Sequence, residues 1–251
     1  MELENQTVNF GSFINASTLD YRKYVSSVFF LRGCNLNCYE CQNREICKGQ
    51  DYRELDDIKK MIDDTCFLSS AIVFSGGECT LQEDVLFELC KYARDGGFKT
   101  AIQTNGTNPN VIKKLIESGN LDKVSMDVKT TWEKYLEFTN VGIDYTDEIK
   151  ESIDICRKAM RHGSIEDYEI ITTAFKLNSE DVVDISYYFD NVNYIINNGV
   201  IDYSEELTVE ELVEICNLAN NKNEMWIRSK ECGECLIKDG KMQLSNGMGY
   251  I

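Results

Sequence analysis

The sequence predicts an α/β fold, a partial (β/α)6 barrel with mainly parallel strands and a short C-terminal extension. Short apolar runs alternate with helix-like segments, an order that is typical of parallel strands joined by right-handed crossovers. The length of 251 residues and the hydrophobic content of 43% suit one barrel domain. The chain has a single proline, Pro109, and no low-complexity linker. We therefore expect one domain over residues 1–251, with its core at about 24–220.

The predicted strands are short runs rich in β-branched and aromatic residues. They lie at 25–31, 71–75, 100–104, 123–128, 168–173 and 192–196. Six strands are fewer than the eight of a closed barrel, which predicts an open one. The chain from Met225 onwards is the predicted extension, with 226–229 extended and the glycines after it covering one end.

Helix-like patterns separate these strands, with apolar residues three and four positions apart. They lie at 55–66, 81–93, 110–117, 147–160 and 179–189, and a last one at 208–220 follows the sixth strand. Thr208 and Glu211 have the spacing of a capping box, in which each side chain bonds the backbone of the other residue. This supports a helix start at that point.

Composition excludes several classes of partner. The 43 acidic residues against 26 basic ones give a net charge of −17, and binding a phosphate backbone needs clustered Lys and Arg, so we expect no nucleic-acid partner. No apolar run approaches the ~20 residues that span a bilayer. Residues 1–9 carry two glutamates and no basic residue, unlike a signal peptide. We expect a cytoplasmic protein that does not bind membranes.

The motif that indicates chemistry follows the first predicted strand, where Cys34, Cys38 and Cys41 lie within eight residues. Cysteines in a reducing compartment more often bind metals than form disulfides. Thiolates are the ligands of iron–sulfur clusters, and three ligands for a four-iron cluster leave one iron open to substrate. The alternative is a zinc site, but zinc is usually held by two separated ligand pairs, and His162 is the only histidine.

Polar residues recur at the ends of the next predicted strands. Gly76, Gly77 and Glu78 follow the second strand, where glycines permit close backbone approach and a carboxylate suits an ammonium group. Asn105 follows the third strand, and 127–129 ends the fourth. In parallel barrels the carboxyl ends of the strands meet at one mouth, so we expect these residues to share a site there.

Cys-x3-Cys-x2-Cys followed by Gly-Gly-Glu resembles the radical S-adenosylmethionine superfamily. Within it the sequence is most similar to the activating proteins of glycyl radical enzymes, above all those of anaerobic ribonucleoside-triphosphate reductase. The resemblance covers residues 9–129 and returns at 227–229 and 233–234. It implies a [4Fe-4S] cluster that cleaves S-adenosylmethionine to a 5′-deoxyadenosyl radical, which installs a glycyl radical on a partner enzyme. It also implies a low-potential electron donor such as flavodoxin or ferredoxin.

The resemblance implies roles for individual residues. Three thiolates would hold the cluster and act in catalysis: Cys34, Cys38 and Cys41. A further set would bind S-adenosylmethionine: Tyr39, Gly76, Gly77, Glu78, Asn105, Asp127 and Lys129. Tyr39 would lie near the adenine, and Gly-Gly-Glu would bind the methionine amino group. Asn105, Asp127 and Lys129 would face the ribose, the carboxylate or the incoming glycine loop. The chain departs from the activases at Gln42, where they carry a histidine, and at Ile171, where they commonly carry an arginine.

Other interpretations remain open. The chain could be a radical enzyme for a small biosynthetic intermediate, an activase of pyruvate formate-lyase, or a non-enzymatic electron carrier. Cys232 and Cys235 form a Cys-x-x-Cys motif that suits a redox pair or half of a metal site, with Cys47 as the obvious extra ligand. The cysteines at apolar helical positions are expected to be buried: Cys66, Cys90, Cys156 and Cys216.

Overall fold

The computed structural model describes residues 6–200, 206–220 and 222–244. The chain separates into two compact units, which are described in turn. The first comprises the described parts of Met1–Asn37, Asn43–Met126 and Thr146–Tyr168. The second comprises the described parts of Cys38–Gln42, Asp127–Tyr145 and Glu169–Ile251.

The described residues form eleven strands and seven α-helices. The strands are β1 Thr7–Ser17, β2 Ser26–Leu31, β3 Tyr52–Glu54, β4 Ala71–Gly76, β5 Lys99–Thr104, β6 Lys123–Asp127, β7 Asp167–Ala174, β8 Asn193–Asn198, β9 Glu224–Ser229, β10 Gly233–Lys238 and β11 Lys241–Leu244. The helices are α1 Leu55–Asp64, α2 Glu83–Asp95, α3 Pro109–Glu117, α4 Tyr135–Thr139, α5 Thr146–His162, α6 Ser179–Ser186 and α7 Val209–Leu218. Short 3-10 turns occupy Cys79–Gln82 and Trp132–Lys134.

The first unit contains a sheet in which β6, β5, β4, β2, β1 and β3 lie in that order. β2, β4, β5 and β6 run parallel, and β1 is antiparallel to both β2 and β3. Side chains of Val28, Val73 and Ala101 lie in register on successive strands and pack with Tyr21 and Ala71 in a buried cluster. The short β-branched and aromatic runs therefore form the sheet core that the sequence predicts.

The helices of the first unit bury residues at helical spacing. Ile58 and Ile62 of α1, and Leu86 and Leu89 of α2, are fully buried. Full burial of such a side chain contributes about 1.5–3 kcal/mol, so these stripes hold the helices on the sheet. Asp56 and Asp57 lie in the first turn of α1, where a negative charge interacts favourably with the positive end of the helix dipole.

In the second unit, β7, β8 and β9 run parallel and β10 and β11 follow as antiparallel strands. The hydroxyl of Tyr194 on β8 is buried, donates to Val182 O (3.2 Å) and bonds Thr172 Oγ1 (2.9 Å), which ties α6 and β7 to β8. The predicted capping box is confirmed. Glu211 N–H donates to Thr208 Oγ1 at 3.2 Å, and Thr208 N–H donates to Glu211 Oε2 at 2.8 Å.

The predicted fold class is confirmed: the fold is α/β with mostly parallel strands, and each predicted strand and helix overlaps an observed one. The extension is more regular than expected, because β9 joins β8 as a parallel strand and β10 and β11 add to it. Residues 245–251, part of the predicted extension, lie outside the described residues. The single-domain prediction stays a prediction.

Two expectations fail locally. β1 escaped sequence analysis because its register with β2 shifts between Phe10 and Ser12, which interrupts the alternation of apolar and polar residues. Cys66 was expected to be buried but is exposed, because α1 ends at Asp64. No helix among the described residues is long and apolar enough to cross a bilayer.

Candidate active site

The three motif cysteines lie in the connection between β2 and β3, and none of them forms a disulfide. Cys34 belongs to the first unit, and Cys38 and Cys41 belong to the second. No group of three or more His, Cys, Asp or Glu side chains that could hold a metal ion occurs in the described part of the chain. Iron–sulfur clusters are held by cysteine thiolates distributed over separate iron atoms, so their ligands need not converge on one point.

The Cys34 sulfur is surrounded by N–H donors. The backbone N–H of Leu36 donates to Cys34 Sγ at 3.5 Å, and Asn105 Nδ2 approaches the same sulfur at 4.0 Å. Hydrogen bonds to the sulfur favour a thiolate and tune a cluster that it holds. The donor set around Cys34 therefore suits an iron–sulfur ligand.

Gly76 and Gly77 let the end of β4 pack directly on the backbone that carries Cys34. A Cβ at Gly76 would lie 1.9 Å from Leu31 O, and one at Gly77 would lie 2.1 Å from Gly33 O and 3.0 Å from Cys34 Cβ. Gly76 also has a φ of 137°, which disfavours any side chain. The protein's own backbone thus fills the space beside these glycines, and their absence of side chains places Cys34.

Glu78 is 1% exposed, and its carboxylate accepts four hydrogen bonds from the protein. Oε1 accepts from Thr80 N–H (3.0 Å), Thr80 Oγ1 (2.6 Å) and Thr104 Oγ1 (2.8 Å), and Oε2 accepts from Asn105 N–H (2.6 Å). Burial raises the pKa of Glu78 above its ordinary value, and these hydrogen bonds limit the rise. The carboxylate therefore joins the segments that follow β4 and β5.

The side chain of Asn105 is likewise engaged within the first unit. Its Nδ2 donates to Asn35 Oδ1 (3.0 Å), and its Oδ1 accepts from Thr107 N–H (3.0 Å) and Thr107 Oγ1 (2.7 Å). Asn35 Nδ2 in turn donates to Thr107 Oγ1 at 2.8 Å. This network fixes Asn105 beside the first motif cysteine.

In the second unit, Asp127 and Lys129 form an ion pair of 2.9 Å, and Cys38 lies within electrostatic range of Lys129. Burial lowers the pKa of Lys129, but the Asp127 carboxylate and the Cys38 thiol raise it, and the result lies above its ordinary value. The backbone N–H of Lys129 donates to the hydroxyl of the buried Tyr135 at 3.3 Å. Lys129 is therefore a fixed cation next to a motif cysteine.

The structure also places Tyr39 and the two positions at which the chain departs from the activases. Tyr39 is 63% exposed, so its ring is available to a ligand. Gln42, in place of the histidine of the activases, donates to Glu40 O at 3.2 Å. Ile171 is buried in β7, and its carbonyl accepts the backbone N–H of Val128 at 2.9 Å.

The structure brings the predicted residues together in two sets. Within the first unit it joins Cys34, Gly76, Gly77, Glu78 and Asn105, and within the second it joins Cys38, Asp127 and Lys129. Contacts of these residues with S-adenosylmethionine stay predictions.

Sequence analysis missed the residues that support these sets: Asn35, Thr80, Thr104, Thr107 and Tyr135. All except Tyr135 lie within two residues of a motif position, and hydroxyl and amide side chains at that spacing are the usual partners of local turns. Tyr135 has no such signal, because its contact with Lys129 depends on the turn at Trp132–Lys134.

The chain is similar in sequence to known proteins. One relative is the "Putative glycyl-radical enzyme activating enzyme MJ1227" of Methanocaldococcus jannaschii, which is 40% identical over 149 residues, or 58% of this chain and 61% of the relative. A second is Fe-coproporphyrin III synthase of Methanosarcina barkeri, which is 33% identical over 166 residues, or 63% of this chain and 38% of the relative. The chain thus matches less than two thirds of the length of either relative.

The fold has solved counterparts. The structure of TYW1 with a lysine-pyruvate adduct bound superposes with a TM-score of 0.62 at 16% identity, covering 88% of this chain and 80% of that one. The family model described as the Radical SAM superfamily matches residues 28–194, which include the motif cysteines and the residues after β4, β5 and β6. The chain belongs to the Radical SAM superfamily, whose members use a [4Fe-4S] cluster and S-adenosylmethionine.

Proposed function

We propose that the chain is an activase that installs a glycyl radical on a partner enzyme, an anaerobic ribonucleoside-triphosphate reductase. The observation that carries the proposal is the 40% identity to the glycyl-radical activating relative of Methanocaldococcus jannaschii. The residues at the candidate site would supply the chemistry that such an activase needs. We place the reaction in the cytoplasm.

The donor set fits an iron–sulfur cluster. Cys34, Cys38 and Cys41 would hold it, since none of them is in a disulfide and Cys34 accepts a backbone N–H from Leu36. When bound and reduced, the cluster supplies one electron that cleaves S-adenosylmethionine to methionine and a 5′-deoxyadenosyl radical. The protein's part is to place the two substrates and to keep water away from the radical.

Charges near Cys38 fit the methionine part of S-adenosylmethionine. Asp127 and Lys129 present a carboxylate and an ammonium group 2.9 Å apart, which complement the ammonium and carboxylate groups of an amino acid. Tyr39, exposed on the same short segment as Cys38, offers an aromatic face for the adenine. Glu78 and the two glycines would act chiefly by placing Cys34 and Asn105.

The partner would present a glycine whose Cα hydrogen moves to the 5′ carbon, giving 5′-deoxyadenosine and a glycyl radical. The electron would come from a low-potential donor such as flavodoxin or ferredoxin. A second candidate function is radical chemistry on a small biosynthetic intermediate, favoured by the 33% identity to Fe-coproporphyrin III synthase.

The test is electron paramagnetic resonance of the reconstituted, reduced chain mixed anaerobically with S-adenosylmethionine and the anaerobic reductase of the same organism. We expect a glycyl-radical doublet that needs both proteins, is lost in Cys38→Ser, and persists in Cys66→Ser, whose thiol is exposed outside the motif. Cleavage of S-adenosylmethionine without a doublet would contradict this partner. Absence of a doublet with pyruvate formate-lyase as well would overturn the activase proposal in favour of a small substrate.

A further inference from the structure

The β9–β10 hairpin carries a pair of cysteines that the proposed function leaves unused. Ser229 and Gly233 pair at the end of the ladder, so Cys232 lies in the short loop and Cys235 lies on β10 opposite Ile227. Gly233 has a φ of 68°, which lets the chain reverse directly after Cys232. The turn thus brings two thiols of one Cys-x-x-Cys motif to the same end of the hairpin.

The two cysteines are in contact through one side chain and one backbone group: the thiol of Cys235 donates to Cys232 O at 3.2 Å. Cys232 is held on the other side by Ser229, whose hydroxyl accepts the Cys232 N–H and lies 3.2 Å from its sulfur. The Cys235 sulfur therefore lies against the backbone of Cys232, from which a rotation of the Cys232 side chain brings the two sulfurs toward the short separation of a disulfide.

The thiols differ in access. Cys232 is half-buried, whereas Cys235 is fully buried. Burial, together with the neighbouring Cys232 and Glu234, raises the pKa of Cys235 to about 12. A reagent in solution therefore meets Cys232 first, and Cys235 is positioned to react with whatever becomes attached to Cys232.

The hairpin is braced independently of the cysteines. Strand β10 pairs with β9 from Gly233 to Ile237, and Arg228 on β9 binds Glu234 on β10 at 2.8 Å. The Arg228 side chain also lies 3.8 Å from Glu169 on β7. These contacts keep the loop geometry in place while the sulfurs change partners.

We propose that Cys232 and Cys235 are a dithiol pair that exchanges with low-molecular-weight disulfides to form an intrachain disulfide. The Cys232 sulfur attacks one sulfur of the external disulfide, whose S–S bond breaks and releases the first thiol. The Cys235 sulfur then attacks Cys232 in the mixed disulfide and releases the second thiol. The two cysteine protons leave with the released thiols, so the dithiol is oxidised by two electrons and the external disulfide is reduced by two. This site is independent of the proposed function.

The sequence supplies a direct readout. Cleavage after Lys230 and Lys238 isolates peptide 231–238, which contains both cysteines and no other. The full-length reconstituted chain is equilibrated anaerobically in glutathione buffers, alkylated, digested with trypsin and analysed by mass spectrometry. In oxidised glutathione we expect this peptide unalkylated and lighter by two hydrogens, and in excess reduced glutathione we expect it doubly alkylated.

Variants test the order of attack. Cys235→Ala should trap glutathione on Cys232 about tenfold more than Cys232→Ala traps it on Cys235, because only Cys232 is accessible. Cys235→Ser repeats the test should the alanine variant fold poorly. A peptide that stays doubly alkylated in oxidised glutathione alone would overturn the proposal. So would zinc that copurifies with the chain, protects both thiols and is lost in Cys232→Ser.

Discussion

The carboxylate of Glu78 accepts the backbone N–H of Asn105 at 2.6 Å, which joins the segment after β4 to the segment after β5. Asn105 Nδ2 in turn lies 4.0 Å from Cys34 Sγ and donates to Asn35 at 3.0 Å. Glu78 thus reaches the first motif cysteine through Asn105. The acidic residue of Gly-Gly-Glu contributes to the site by holding two strand ends in place.

Replacing Glu78 with glutamine should destabilise the protein. The amide keeps one acceptor oxygen and points N–H groups at donors of Thr80, Thr104 or Asn105. Leaving buried donors unsatisfied costs about 1–3 kcal/mol, and we expect a loss of this size in the free energy of unfolding by urea. The matched control is Glu151→Gln on the exposed face of α5, which should change stability little. Equal stability of Glu78→Gln and wild type would contradict the role given to this carboxylate.

Gly77→Ala should disturb the loop that carries Cys34. The new Cβ would lie 2.1 Å from Gly33 O, so the backbone of one segment must move. We expect a lower thermal midpoint and less iron bound per chain after anaerobic reconstitution. Gly96→Ala is the control, since its Cβ would meet nothing closer than 3.4 Å and its φ of −74° suits alanine. Iron content and thermal midpoint of Gly77→Ala equal to those of Gly96→Ala would show that the close packing is unimportant.

Asp122 should give a pH-dependent contribution to stability. Burial would raise the pKa of Asp122, but hydrogen bonds from Arg94, Thr100 N–H and Lys99 hold it below its ordinary value. A lowered pKa stabilises the fold above about pH 4, and this contribution is lost as the pH falls through the folded pKa. Asp122→Asn should therefore cost about 1.5–3 kcal/mol at pH 7, and progressively less as the pH falls below about 4.

Urea unfolding at several pH values measures this difference. Asp154→Asn, which removes one partner of an exposed ion pair with Arg157 on α5, should cost at most about 1 kcal/mol across the range. A cost for Asp122→Asn that does not change with pH would contradict the ionic account.

The fold was largely predictable because its parallel strands are buried and its helices are amphipathic. Runs such as 71–75 read as strands in the sequence, and the capping box of Thr208 and Glu211 marks a helix start locally. Strands at the edge of the sheet lack this pattern of buried residues and could not be predicted from it. β3 is three exposed residues that depend on pairing with β1, and that pairing is a tertiary contact.

The sequence indicates candidate site residues but not their contacts. Motif spacing selects Cys34, Glu78 and Lys129 as candidates, because those residue types at those positions are unusual in a purely structural loop. Their partners are ordinary hydroxyl and amide side chains, such as Thr104 and Asn35, whose roles depend on the fold. The expected contact of Glu78 with an ammonium group stays a prediction, and the structure adds four protein donors to its carboxylate that the sequence did not indicate.

Lys129→Met should weaken binding of S-adenosylmethionine. The substitution removes the ammonium group that pairs with Asp127 beside Cys38, and a charge-assisted contact of this kind is worth about 1.5–3 kcal/mol. We therefore expect the dissociation constant, measured by anaerobic equilibrium titration of the reconstituted chain, to rise by about tenfold or more. Lys113→Met on the exposed face of α3 removes an ion pair with Glu117 and should leave the dissociation constant unchanged. Equal affinities of the two variants would exclude Lys129 from the binding site.

The central claim is that the loop bearing Cys34, Cys38 and Cys41 holds a cluster that cleaves S-adenosylmethionine. Its most direct test is chromatographic detection of 5′-deoxyadenosine after the anaerobically reconstituted chain is mixed with S-adenosylmethionine and a strong reductant. We predict 5′-deoxyadenosine and methionine in equal amounts from the wild type and from Cys66→Ser, and neither product from alanine variants of the three motif cysteines. Product formation that survives loss of any motif cysteine, or no product from a wild-type chain that has taken up iron and sulfide, would contradict the account.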